Sequence, residues 1–227
     1  MYLAVEPWSR RLWPHAMVTW TRVLGGRFRD PLVGRDVLVV VACVTLDHAF
    51  QRAIWWSAGW YMEPGSDAPA RFGLALDSLL GGRTMVAITL APFLMGIFVG
   101  VPWFAVLLLA KTVFKKTWLA ALSYFFFFAI AINGSRFVEG DWPSVTVWCL
   151  ELAFLLFLSL RFGLFAASLF SALSLLINRS ILTYDFGVWY GQGSLVGTVI
   201  LVTIAFYGFH TALGGRPLAV LAGDARR

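Results

Sequence analysis

Five polar side chains stand inside long apolar stretches: Asp47, His48, Gln51 and Arg52 in one, and Glu151 in another. At 100° per residue the first four share one helical arc of about 140°, while Ala49, Phe50, Ala53 and Ile54 cover the other side. An ionised group costs at least ~2.5 kcal/mol near the middle of a bilayer, so this stripe must face protein or water. By helical rise, Arg52 lies about 9 Å and Glu151 about 12 Å below one membrane surface. The matched depth predicts an Arg52–Glu151 ion pair. Such a pair could serve as a proton relay, a ligand site or a structural clasp. Its place toward one interface, with no second acid–base couple in line, favours the clasp. A small transporter or channel subunit using Asp47, His48, Arg52 and Glu151 is the alternative.

Other chemistry is not announced. His15, His48 and His210 share no helical spacing with an acid suited to metal binding, so no metal and no cofactor is expected. The chain has no HExxH, no GxSxG and no adjacent glutamate pair. Cys43 and Cys149 both fall in apolar segments and read as small buried hydrophobes. Asp185-Phe186-Gly187 reproduces the triad that holds magnesium in protein kinases, but a kinase also needs a glycine-rich loop, a strand lysine and an HRDxxxxN loop. The nearest imitation, Gly34-Arg35-Asp36, has Val41 where the asparagine belongs. Tyr184, Trp189 and Tyr190 therefore read as an outer-interface aromatic belt, with Asp185 shaping the loop. No catalytic residue is assigned.

These residues need membrane helices to hold them. Of 227 residues, 59% are hydrophobic and only 13% charged, and the apolar residues come in blocks, so the chain reads as an all-α, polytopic membrane helix bundle. Six spans are expected, at about 37–58, 84–110, 118–132, 143–160, 162–177 and 194–213. The third is the shortest. With six spans, thirteen of the eighteen Lys and Arg residues fall on the side of the N-terminus. Dropping the third span would invert everything after it and break that positive-inside bias. The expected setting is a bacterial cytoplasmic (inner) membrane with both termini in the cytoplasm. The basic face would meet anionic headgroups rather than nucleic acid.

Before the first span, Trp13, Met17, Trp20 and Leu24 recur at helical spacing between Pro14 and Gly25-Gly26. They predict an amphipathic helix in the interface, followed by a basic elbow. The organisation is thus an interfacial helix and elbow over 1–36, a six-span domain over 37–213 and a tail over 214–227. The opening residues lack the pattern of a signal peptide and read as the tail of a helix whose earlier part is missing. In the second span Gly96 and Gly100 form a GxxxG pair, and Gly193 and Gly197 repeat the spacing at the start of the sixth. Both pairs suit close helix packing. "INGSR" and "INRS" satisfy the Asn-x-Ser pattern in expected outside loops.

Two regions carry a resemblance. "YLAVEPWSRRLWPHAMVTWTRVLGGRFRDPLVGRDVLV" is similar to the region that opens the membrane-embedded C-terminal part of certain large bacterial serine/threonine kinases. "LRFGLFAASLF", "LTYDFGVWYGQGSL" and "AFYGFHTALGGRPL" resemble the end of that module. The similarity covers roughly 1–41 and 160–218. It implies a non-catalytic anchoring or sensing module for a kinase-type receptor, with the kinase domain, whose motifs are absent here, attached ahead of it or bound to it.

Overall fold

The computed structural model describes Pro7, Ser9 and residues 11–59, 82–179 and 191–214. Tyr184, Asp185, Trp189 and Tyr190 lie outside the described residues, as do residues 60–81 and 215–227. Among the described residues all regular structure is helical.

Pro14 opens a short 3-10 turn, Pro14–Met17, which leads into α1, Val18–Leu24. Gly25 and Gly26 end it, Gly26 with a φ of 74° that suits a residue without a Cβ. The next helix, α2, runs Pro31–Ser57. Asp30 caps it by accepting from the Leu32 amide at 2.9 Å, and Pro31 takes the first helical position, where its missing N–H costs nothing. The expected elbow is therefore shorter than its sequence suggests, because the helix begins six residues ahead of Val37.

Further along the chain come α3, Gly82–Phe114; α4, Thr117–Glu139; α5, Trp142–Arg161; α6, Leu164–Arg179; and α7, Gly191–Ala212. Pro92 and Pro102 both lie inside α3. The third expected span was drawn too short. Asn133-Gly134-Ser135 look like a loop, yet α4 continues through them, with Asn133 buried and its Nδ2 donating to the Ala129 carbonyl at 3.1 Å. The side-chain amide thus finds a partner on its own helix. Gly140, at φ 74°, ends the helix in the left-handed conformation. Neither Asn-x-Ser asparagine sits in a loop, since Asn178 belongs to the last turn of α6.

Among the described residues five helices are long and apolar enough to cross a membrane: α2, α3, α4, α5 and α7. The sixth, α6, has only 16 residues, a rise of about 24 Å against a hydrocarbon core of about 30 Å. It nevertheless crosses the bundle. The start of α2 and the end of α7 meet at the same end of the molecule, where a methyl on Gly34 would strike the backbone of Thr211 and Ala212. An even number of crossings must separate them. This is a multi-pass membrane protein.

The shortness of α6 follows from its place. It packs most extensively on α3, then on α2 and α5, and it is the most buried of the long elements. Ala166, Ala167, Ser168, Ser171, Ala172 and Ser174 give it small surfaces that let neighbours approach, as packing without a hydrophobic driving force requires. Gly96 and Gly100 of α3 lie directly against Ala172 and Ser168. Gly197 is buried in α7, and the side-chain surroundings of Gly193 are outside the described set. Phe170, Leu173, Leu176, Val40, Val44 and Leu158 form one core cluster. Phe104, Leu107, Leu108, Tyr124 and Leu152 form another, which reaches Met17 and Trp13.

Candidate functional site

Two groups of polar residues stand out, one in mid-membrane and one at the end where the chain enters and leaves the bundle. The first begins on α2. Asp47 is fully buried, and His48 and Gln51 are nearly so. Gln51 lies one helical turn beyond Asp47 and donates from Nε2 to Asp47 Oδ2 at 2.8 Å. Asp47 Oδ1 is buried and has no hydrogen-bond partner among the described residues. On α6, the fully buried Ser174 donates from Oγ to Glu151 Oε1 of α5 at 2.8 Å. The same hydroxyl lies 3.5 Å from His48 Nε2, at the long edge of hydrogen-bond range. Three helices thus contribute to one chain of polar atoms, from His48 through Ser174 to Glu151, with Asp47 one residue from its start.

The expected Arg52–Glu151 ion pair is not formed. Between described residues the ion pairs are Arg22–Asp30 and Arg35–Asp36, and Glu151 takes its hydrogen bond from Ser174 instead. Depth along the two helices was matched, but direction around them was not. Arg52 stands at the far edge of the 140° arc and is exposed, while Asp47, His48 and Gln51 point inward. The structure therefore gathers Asp47, His48, Gln51 and Glu151 and leaves Arg52 on the outside. Ser174 is the member that sequence reasoning missed. Its signal was the spacing of Ser168, Ser171 and Ser174, which repeat every third residue in an apolar helix.

Asp47 lies ten residues from the Ser57 end of α2, and Glu151 nine from the Trp142 end of α5, about 15 and 13 Å by helical rise. Both acids are therefore near the middle of their spans. Among the described residues no group of three or more His, Cys, Asp and Glu is placed to hold a metal ion. What this arrangement can do is hold and pass protons, because its members are carboxyl, imidazole and hydroxyl groups in sequence.

The second group sits where the chain enters. Asp36 is buried, accepting from Thr19 Oγ1 at 2.6 Å and from Arg35 Nη2 at 2.8 Å. The Arg35 guanidinium also lies over the Phe162 ring at 5.6 Å. Lys111 of α3 places its ammonium 3.6 Å from the centre of the Trp13 ring and 3.4 Å from the Leu12 carbonyl. Gly163, at φ 84°, joins α5 to α6 and packs directly on the Ala16 backbone. Tyr207 of α7 donates to the Phe28 carbonyl at 2.5 Å. Arg22 pairs with Asp30, whose carboxyl is held below the ordinary Asp range by the Leu32 amide and by Arg22.

The segment expected to lie on the membrane surface is thus docked on protein. Trp13, Ala16, Met17 and Thr19 are buried, while Leu24 is exposed. The buried face is rotated from the one drawn by apolar periodicity, because Ala16 and Thr19 meet Gly163 and Asp36. No family model, no curated protein and no solved structure matches this chain.

Proposed function

We propose that this chain is a non-catalytic multi-pass membrane module, the anchoring or sensing part of a bacterial serine/threonine-kinase-type receptor. It would sit in the cytoplasmic membrane with both ends of the bundle's chain facing the cytoplasm. One observation carries the reading. The two stretches that resemble such modules, far apart in sequence, meet at a single end of the bundle. Trp13 to Asp36 from the first stretch engage Phe162, Gly163, Tyr207, Gly208 and Ala212 from the second. A domain joined ahead of residue 11 would be coupled to the spans through packed side chains rather than a loose tether. That coupling is what a membrane sensor needs in order to move an attached domain. Arg22, Arg27, Arg29, Arg35, Lys111, Lys115, Lys116 and Arg161 cluster at the same end, consistent with a cytoplasmic face against anionic headgroups.

Purification of the chain from its native membrane, followed by a phosphate-incorporation assay, tests this. A covalently continuous or co-purifying serine/threonine kinase supports the reading. A preparation without kinase activity, from a gene with no kinase-coding frame upstream, overturns it. The buried polar chain favours a second reading, a small transporter or channel subunit. Flux in proteoliposomes that disappears in Asp47→Asn and Glu151→Gln, with thermal stability retained, would move the function there.

A further inference from the structure

Asp47 is the least explained group in the molecule. It is fully buried near mid-span, and its Oδ2 has a single neutral donor, the Gln51 amide. Its Oδ1 has no partner among the described residues. A carboxylate in that state is costly, since an ionised group in a medium of low dielectric needs several donors or a counter-charge. Glu151, on the neighbouring α5, is joined to α2 through Ser174, whose hydroxyl lies 2.8 Å from Glu151 Oε1 and 3.5 Å from Nε2 of His48, the residue next to Asp47. Its only hydrogen-bond donor among the described residues is Ser174. Two carboxylates within one desolvated site cannot both ionise cheaply.

We propose that Asp47 and Glu151 together bind one exchangeable proton in the middle of the membrane. Ser174 and His48 connect Glu151 to the inner face of α2. The unpartnered Oδ1 of Asp47 is the atom that gains most from the proton, because a hydroxyl there removes the charge that nothing solvates. The binding step is simple: a carboxylate and a proton from water become a carboxylic acid, and the pair passes from two negative charges to one. Titratable and charged groups stand near Asp47 on two of the elements that pack there. On α2 they are Cys43, His48 and Arg52, and on α5 the group is Glu151. On α6 the group in reach is the Ser174 hydroxyl, and the helix's one charged residue, Arg179, stands at its last position, five residues beyond Ser174. The described titratable groups of α7, Tyr207 and His210, lie at the far end beside the start of α2. Among the described residues no buried cation stands beside the two acids to take the place of the proton. Arg52 is exposed, at the outer edge of the stripe. The proposal rests on neither functional reading.

Infrared titration of the full chain in lipid nanodiscs tests it through the carbonyl stretch of a protonated carboxyl. The wild-type protein is expected to show such a band at neutral pH, shifted by deuterium exchange and lost as the pH is raised. Asp47→Asn should abolish that titrating band, Glu151→Gln should leave it present but move its loss to lower pH, and Ser174→Ala should shift its frequency while leaving it present. Near-ultraviolet circular dichroism on each variant checks that the bundle is intact. Should Asp47→Asn fail to fold, Glu151→Gln and Ser174→Ala carry the same test. A wild-type protein with no protonated-carboxyl band overturns the proposal, as does a band unchanged by both acid substitutions. Sodium or potassium ions that stabilise the wild type but not Asp47→Asn, with no carboxyl band present, would also overturn it and make the site a cation site.

Discussion

Asp36 and Asp47 are both buried acids on α2, eleven residues apart, and they live in opposite circumstances. Asp36 has a hydroxyl on one oxygen and a guanidinium on the other, and it fastens α1 to the bundle. Asp47 has one amide donor and one bare oxygen. The first is a completed network and works as a fastener. The second is an incomplete one, and incomplete buried networks are where a protein keeps protons or ligands rather than strength. The end of the bundle is built to hold still. Its middle is built to change charge.

The largest expected effect strikes the fastened end. Gly163→Val should lower stability by about 3 kcal/mol, combining a left-handed residue with overpacking against Ala16. The melting temperature in detergent should fall, and trypsin should cut after Arg22 as α1 undocks. If α1 stays protected, the docking does not depend on that contact. Next, Asp36→Ala should cost about 2 kcal/mol, because it leaves the Thr19 hydroxyl and Arg35 without their acceptor. Arg35 is more than half exposed, so water recovers part of its share.

A smaller loss, about 1 kcal/mol, is expected for Asp30→Ala, which removes a helix cap. The folded-state pKa of Asp30 is depressed, chiefly by the Leu32 amide. Its stabilisation is therefore complete above the ordinary Asp value of 3.8 and is lost as the pH falls through the depressed one. Thermal melts of wild type and variant should converge only under such acid conditions. The smallest effect, and the one that separates the two acids, belongs to Asp47→Asn. It should change stability by no more than about 0.5 kcal/mol or raise it, because an amide needs far less solvation than a carboxylate. A loss as large as that of Asp36→Ala would erase the distinction between fastener and proton site.

Much of this was legible beforehand where a local rule decides. Pro14, Gly25 and Gly26 bounded the first helical stretch, and the positive-inside count kept the short third span in place, while nothing in the sequence singled out the fifth as the short one. The rule failed at Asn133, where turn-like residues continue as helix because the side-chain amide finds a carbonyl one turn back. It failed again at Arg52. Helical rise gives a residue's depth from sequence alone, but its partner depends on how each helix is turned about its own axis.

What the sequence determined by itself was membrane class, the expectation of about six crossings and the depth of Glu151, since hydrophobic length and helical rise are properties of one segment. Only the tertiary structure decided that Ser174 replaces Arg52 beside Glu151. It alone placed Ala16 on Gly163, gave Asp36 two donors and left Asp47 an oxygen with none. Rotation and close approach are settled between segments, by small residues that let backbones touch, and no single segment contains that information.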